Sequence, residues 1–163
     1  MSHLEREALI ESRIEALDLA PQLLITPGGL YASAVQDGLT LYLSGQVPRV
    51  GDSVPYVGRV GDEVSLEEGT KAARLCVSRL LGAIKESLGS YARVRRLCKM
   101  TVFAQAASPS ALSAVAEAAS TALEEVFSPS GSHARTTIGV ALLPRNAPVE
   151  IELIVAVEPG GTN

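Results

Sequence analysis

A two-layer α/β sandwich, with helices on one face of a mixed sheet, is the fold class the sequence predicts, and three observations predict it. Two stretches, residues 65–88 and 108–127, repeat apolar residues with the 3.6 period of amphipathic helices. At least five short runs are rich in β-formers. Their order, ββ, helix, strand, helix, ββ, suits a sheet covered by two long helices. The 163 residues fit one domain and suffice for a proper core.

The first element is a short helix. Ser2 and Glu5 form a capping box, and Leu4, Ala8, Ile14 and Leu17 recur between charged residues. Pro21 and then Pro27-Gly28-Gly29 end it, so residues 1–21 read as a helical appendage, 22–158 as the main domain and 159–163 as a flexible tail. Leu30 to Val35 leads to a turn at Asp37-Gly38 and a second strand from Leu39, the pattern of a hairpin. Gly45, in Ser44-Gly45-Gln46, predicts a bulge or a close approach to the backbone. Residues 49–64 read as loop.

Ser65 and Glu68 make a second capping box, opening a helix to about Leu88 that stops at Gly89. Its inner face is Ala73, Cys76, Val77, Leu80, Leu81 and Ile84. Val94 to Ala104 reads as a strand. Ser108-Pro109 caps and starts a helix lined by Leu112, Val115, Ala119, Leu123 and Val126. Two strands follow, Thr136–Leu142 and Val149–Val157, joined through Pro144-Arg145-Asn146-Ala147. In the last one Val149, Ile151 and Leu153 face one way, while Ile154 and Ala156 face the other beside Glu150 and Glu152. Met100 and Val102 similarly alternate with Leu97 and Phe103. A sheet apolar on both faces but covered by helices on one needs a second cover, which self-association provides.

The formal charge of −4 argues against nucleic-acid binding through many phosphate contacts. No apolar run approaches the roughly 20 residues needed to span a bilayer, and Ser2 to Leu17 has no signal-peptide core. The expectation is a cytoplasmic protein with Cys76 and Cys98 as reduced thiols.

Familiar catalytic constellations are missing. No Walker-type loop, dinucleotide fingerprint or nucleophile elbow occurs. His3 and His133 alone cannot build a His-rich metal site, so neither metal nor cofactor is expected. The remaining candidates are polar residues in apolar surroundings. Arg135 opens a strand, either as an exposed strand-end cation or as a planar fork for a carboxylate. Glu150 and Glu152 form either a solvated face or a general acid/base at an interface. Tyr31 and Tyr42 pack or line a site. Arg93, Arg95, Arg96 and Lys99 are a basic run, solvated or contacting RNA.

Taken together, Gly29-Leu30-Tyr31, Leu43-Ser44-Gly45-Gln46-Val47-Pro48, Thr101-Val102-Phe103, Ala134-Arg135-Thr136-Thr137, Leu143-Pro144 and Val149-Glu150-Ile151-Glu152 resemble, in order and spacing, the Rid (YjgF, L-PSP endoribonuclease-like) family. The resemblance covers residues 24–157 and points to a longer subgroup with an N-terminal helix. It implies a chorismate-mutase-like fold, a homotrimer with inward-facing sheets, and clefts between subunits. It also implies hydrolysis of reactive 2-imino or enamine acids to 2-keto acids and ammonia. Arg135 falls on the family's carboxylate-binding arginine and Glu150 on its acidic residue near the reactive carbon. Tyr31, Ser44, Gly45 and Thr137 fall on substrate-binding cleft positions. Ala116 stands where the family often has a cleft asparagine, which keeps open a trimer that binds a small carboxylate or 2-keto acid without turnover; an endoribonuclease is the third reading. A hairpin centred near Arg145-Asn146 would set Arg135 opposite about Ala156, on the order of 20 Å from Glu150 at the usual strand rise. The two would then meet only across a subunit boundary.

Overall fold

The computed structural model describes residues 1–23 and 25–159, so the expected flexible tail, apart from Pro159, lies outside the described residues. Three α-helices, α1 (His3–Ala16), α2 (Leu66–Leu88) and α3 (Pro109–Phe127), accompany five strands: β1 (Ala34–Asp37), β2 (Thr40–Gln46), β3 (Val94–Ala104), β4 (Ala134–Gly139) and β5 (Val149–Val157). Local chemistry sets the helix ends. Ser2 and Ser65 each close a capping box with Glu5 and Glu68, satisfying orphan N–H groups at both ends of the motif. Ser108 accepts from Ala111 ahead of Pro109, and Gly89 ends α2 in the left-handed conformation that favours glycine.

The sheet order is β1-β2-β5-β3-β4. The hairpin joining β1 and β2 pairs Asp37 with Thr40, leaving Gly38, at φ 56°, as the first residue of a two-residue loop. The expected hairpin between the last two strands does not form. β4 instead runs parallel to β3 at the sheet edge, and β5 takes the centre, antiparallel to both β2 and β3. The reason is α3: a helix between β3 and β4 carries the chain back to start β4 in the same direction as β3.

All three helices lie on one face. Val149, Ile151, Leu153 and Val155 of β5 point into that layer with Leu97, Met100 and Val102 of β3, each fully buried. Simple alternation sets Leu97 against Met100, but a register shift between Leu97 and Lys99 turns it to the helix side. Ile10, Ile14 and Leu19 join the same core cluster, so α1 and the turn after it pack into the domain. Arg13 ties α1 to the end of α3 through the Ser128 carbonyl, 2.7 Å away. The chain then crosses α2 so closely that a Cβ on Gly82 would lie 1.8 Å from the Gln22 carbonyl oxygen.

The other sheet face has no cover among the described residues. Val35, Tyr42 and Ile154 stand in register across β1, β2 and β5, with Val35 57% and Tyr42 47% exposed. Phe103 and Ile138 pair further along the strands, at the level of Glu150.

Candidate functional site

β5 delivers Glu150 to the uncovered face at the level of Phe103, and β2 passes it with a one-residue bulge. Between Leu43 and Gln46 the β2 register advances three residues while β5 advances two, which throws Ser44 and Gly45 out of the regular ladder. The Glu150 carboxylate fills the space so opened. A Cβ on Gly45 would lie 2.1 Å from Glu150 Oε1, so only glycine admits the carboxylate here. Burial pushes the Glu150 carboxyl above its ordinary range, and the like charge of Glu152 adds to the rise.

A cavity of about 90 Å³ opens beside this carboxylate, with Tyr31 and Gly45 in its wall. Tyr31 is half-exposed, its hydroxyl accepting from the Gly28 N–H at 3.1 Å. Ser44 lies next to Gly45, but its hydroxyl donates to the Ala32 carbonyl at 2.7 Å and does not line the cavity.

Three further residues of the wall escaped the sequence reading: Arg49, Arg79 and Arg145. Arg79 is 5% exposed. Its Nε donates to Gln46 Oε1 at 3.1 Å, and its Nη1 to Gln22 Oε1 and the Arg49 carbonyl at 3.3 and 3.4 Å. Gln46 is held in turn by its own amide, which donates to the Ser44 carbonyl. Burial lowers the Arg79 pKa, and the nearby Arg49 charge lowers it further. The sequence did carry a signal. Arg79 lies three residues after Cys76 and four before Ala83, on the stripe of α2 that is otherwise apolar.

Arg135 and Thr137 lie elsewhere. β4 places Arg135 beside Met100 and Thr137 beside Val102, whose side chains point into the helix layer. Arg135 therefore lies on the opposite side of the sheet from Glu150. Two strand spacings and three residues of rise separate their backbones, on the order of 14 Å. The Arg135 Nη1 donates to Glu117 Oε2 and Ser120 Oγ of α3, both at 2.9 Å. His133 Nε2 lies 3.1 Å from the same hydroxyl. An open hollow of about 360 Å³ adjoins this cluster. Within one chain the structure thus brings together Tyr31, Gly45 and Glu150, and leaves Arg135 and Thr137 at the far edge.

A larger cavity, about 440 Å³, lies between α1 and the segment after it, lined by Ile14, Leu19 and Leu23. Its only lysine, Lys85, is already paired with Glu7 and Glu11. No helix among the described residues is long and apolar enough to cross a membrane.

The family model described as Endoribonuclease L-PSP matches residues 23–157. The chain belongs to the Rid/YjgF family. Among curated Rid relatives, the 2-iminobutanoate/2-iminopropanoate deaminase of Dermatophagoides farinae is 33% identical over 147 residues, covering 90% of this chain and 97% of the relative. Protein TCP17 of Trypanosoma cruzi is 34% identical over 149 residues, covering 90% and 92%. A solved structure of a protein of unknown function from Agrobacterium tumefaciens superposes with a TM-score of 0.85 at 31% identity, covering 95% of this chain and 97% of that one.

Proposed function

We propose that this Rid protein hydrolyses small 2-imino or enamine acids to 2-keto acids and ammonia, with Glu150 as the acid/base. The observation that carries this reading is the Glu150 carboxylate seated over Gly45, half-buried at the wall of a cavity, with its proton affinity raised. A raised carboxyl pKa improves its match to proton transfer near neutrality. The deaminase named among the relatives supports the reaction class.

The chemistry asks little of the protein. An imine carbon, once protonated on nitrogen, is electrophilic. Glu150 takes a proton from water as the oxygen bonds to that carbon, giving a tetrahedral carbinolamine. The same proton then goes to the amine, the C–N bond breaks and ammonia leaves, while the again-ionised Glu150 takes the hydroxyl proton as the carbonyl forms and then gives it up to solvent. The Gly45 bulge and Tyr31 form part of the wall against which the ligand would lie, with Ser44 next to the bulge.

Arg135 is the proposed anchor for the 2-carboxylate, supplied with Thr137 by a neighbouring protomer of a homotrimer. Two features support that assembly. The in-register apolar stripe of Val35, Tyr42 and Ile154 has no cover among the described residues. The 90 Å³ cavity is also well short of the about 300 Å³ at which ligand sites usually begin, so one chain supplies only part of a wall. Arg135 would exchange its Glu117 contact for the ligand carboxylate.

Ammonia release from 2-iminobutanoate generated in place by an amino-acid oxidase tests the reaction. Wild type accelerates release and Arg135→Ala abolishes the acceleration while the oligomer survives; no acceleration by wild type would defeat the proposal. One observation favours a second reading, a trimer that binds a small carboxylate without turnover. Ala116 is fully buried and offers no hydrogen-bonding side chain from α3. Binding of 2-oxobutanoate with no ammonia release would select that reading.

A further inference from the structure

We propose that Arg49, Arg79 and Arg145 form an anion subsite beside Glu150, and that the ligand is a 2-imino or 2-keto acid bearing a second carboxylate. The inference rests on the preceding reading for the first carboxylate, which Arg135 holds. The charge count of the cavity carries the rest. Its wall holds these three guanidiniums and, among the described residues, one carboxylate, Glu150. None of the three makes an ion pair within 4 Å of an acidic side chain among the described residues, in contrast to Arg59 and Arg135, which do. Even when Glu150 is ionised, the cavity keeps an excess of positive charge.

A buried guanidinium is normally paired, because its desolvation is otherwise uncompensated. Arg79 is almost fully buried, yet its bonds go to neutral oxygens of Gln46, Gln22 and the Arg49 backbone. Arg49 donates through Nη2 to the Thr26 carbonyl at 3.0 Å, while its buried Nε has no partner. Arg145 donates to the Asp52 carbonyl at 2.6 Å from a backbone at φ 59°, a conformation uncommon for a residue with a side chain. Glu86 is the one carboxylate among the groups that shift Arg79, and it ranks last of them. Three cations are thus held from three different segments around one small cavity, without a counter-charge of their own. A carboxylate accepts charge-assisted, bidentate hydrogen bonds from such forks. With Glu150 and the bulge between this cluster and the incoming Arg135, the ligand spans two cationic sites and presents its reactive carbon between them.

The test is equilibrium titration of the full-length wild-type protein with 2-oxoglutarate and with 2-oxobutanoate, followed by calorimetry. The dicarboxylate is expected to bind at least about 10-fold more tightly, the scale of one hydrogen bond to a charged group. Arg79→Gln is expected to close that gap to about 2-fold, and Arg49→Gln to narrow it; melting curves check that each variant is folded, and Arg49→Gln carries the test if Arg79→Gln is not. Equal binding of the two acids by wild type overturns the subsite, as does a gap that both folded variants leave unchanged. The two readings fail separately. A gap without ammonia release from the imine of glutamate supports the subsite and removes hydrolysis. Ammonia release from the imine of 2-aminobutanoate without a gap supports hydrolysis and removes the subsite.

Discussion

Arg135 and Arg79 show two ways of placing an arginine next to a helix. Arg135, at the sheet edge, reaches Glu117 and Ser120 across a solvent-accessible gap, and its charge is answered on the spot. Arg79, on the inner face of α2 itself, is nearly sealed and answered only by neutral oxygens. An exposed ion pair is worth little and can be exchanged at small cost. A buried cation without a counter-ion is costly and stays ready for an incoming anion. On the proposed intersubunit site, the difference separates a movable anchor, Arg135, from a fixed cationic wall around Arg79.

The comparison breaks most sharply at Glu150. Glu150→Gln keeps the shape but cannot move a proton, and imine hydrolysis should fall by about 100- to 10,000-fold. The same variant should gain stability at neutral pH. Burial and Glu152 raise the folded-state pKa of Glu150, so its ionisation opposes folding. The favourable contribution is complete below the unfolded pKa and is lost as pH rises through the raised value. Denaturation curves against pH should therefore show wild type and Glu150→Gln converging in acid, whereas parallel curves would contradict that sign. The rate itself should climb with pH through the same raised pKa, since the base must be ionised.

Gly45→Ala comes next. A Cβ meeting Glu150 Oε1 must shift the carboxylate or the bulge, at a cost of about 1–3 kcal/mol. Thermal unfolding of Gly45→Ala, Glu150→Ala and the double variant should show strong non-additivity, because removing the carboxylate removes the clash. The smallest effect belongs to Glu117→Gln. It should cost under about 1 kcal/mol of stability, and by freeing Arg135 it should leave imine hydrolysis at or above the wild-type rate. A large loss of activity would show that the pair itself, not the freed guanidinium, is the working unit.

Much of the framework was legible because its signals are local. Ser2 with Glu5, Ser65 with Glu68, and Ser108 before Pro109 name their helix starts, and each cap acts within four residues. The bulge at Gly45 was legible for the same reason, though not that Glu150, over 100 residues later, fills it. Strand partnership was not local. Nothing in Ala134–Gly139 says whether it pairs with the strand after it or, across α3, with the one before. Leu97 misled because a bulge inverts the alternation on which facing is read. Arg79 was passed over because its neighbours on α2 are apolar, although a charge on such a stripe was itself the clue. Arg49 and Arg145 come from loops and meet the cavity only in the folded chain.

Subunit complementation tests the central claim most directly. Arg135→Ala and Glu150→Gln, each inactive alone, are unfolded together and reassembled. If Arg135 of one protomer serves Glu150 of its neighbour, random mixing restores intact sites and about a quarter of wild-type hydrolysis, as closed cyclic assembly requires. Mixed oligomers that stay as inactive as either parent would contradict it.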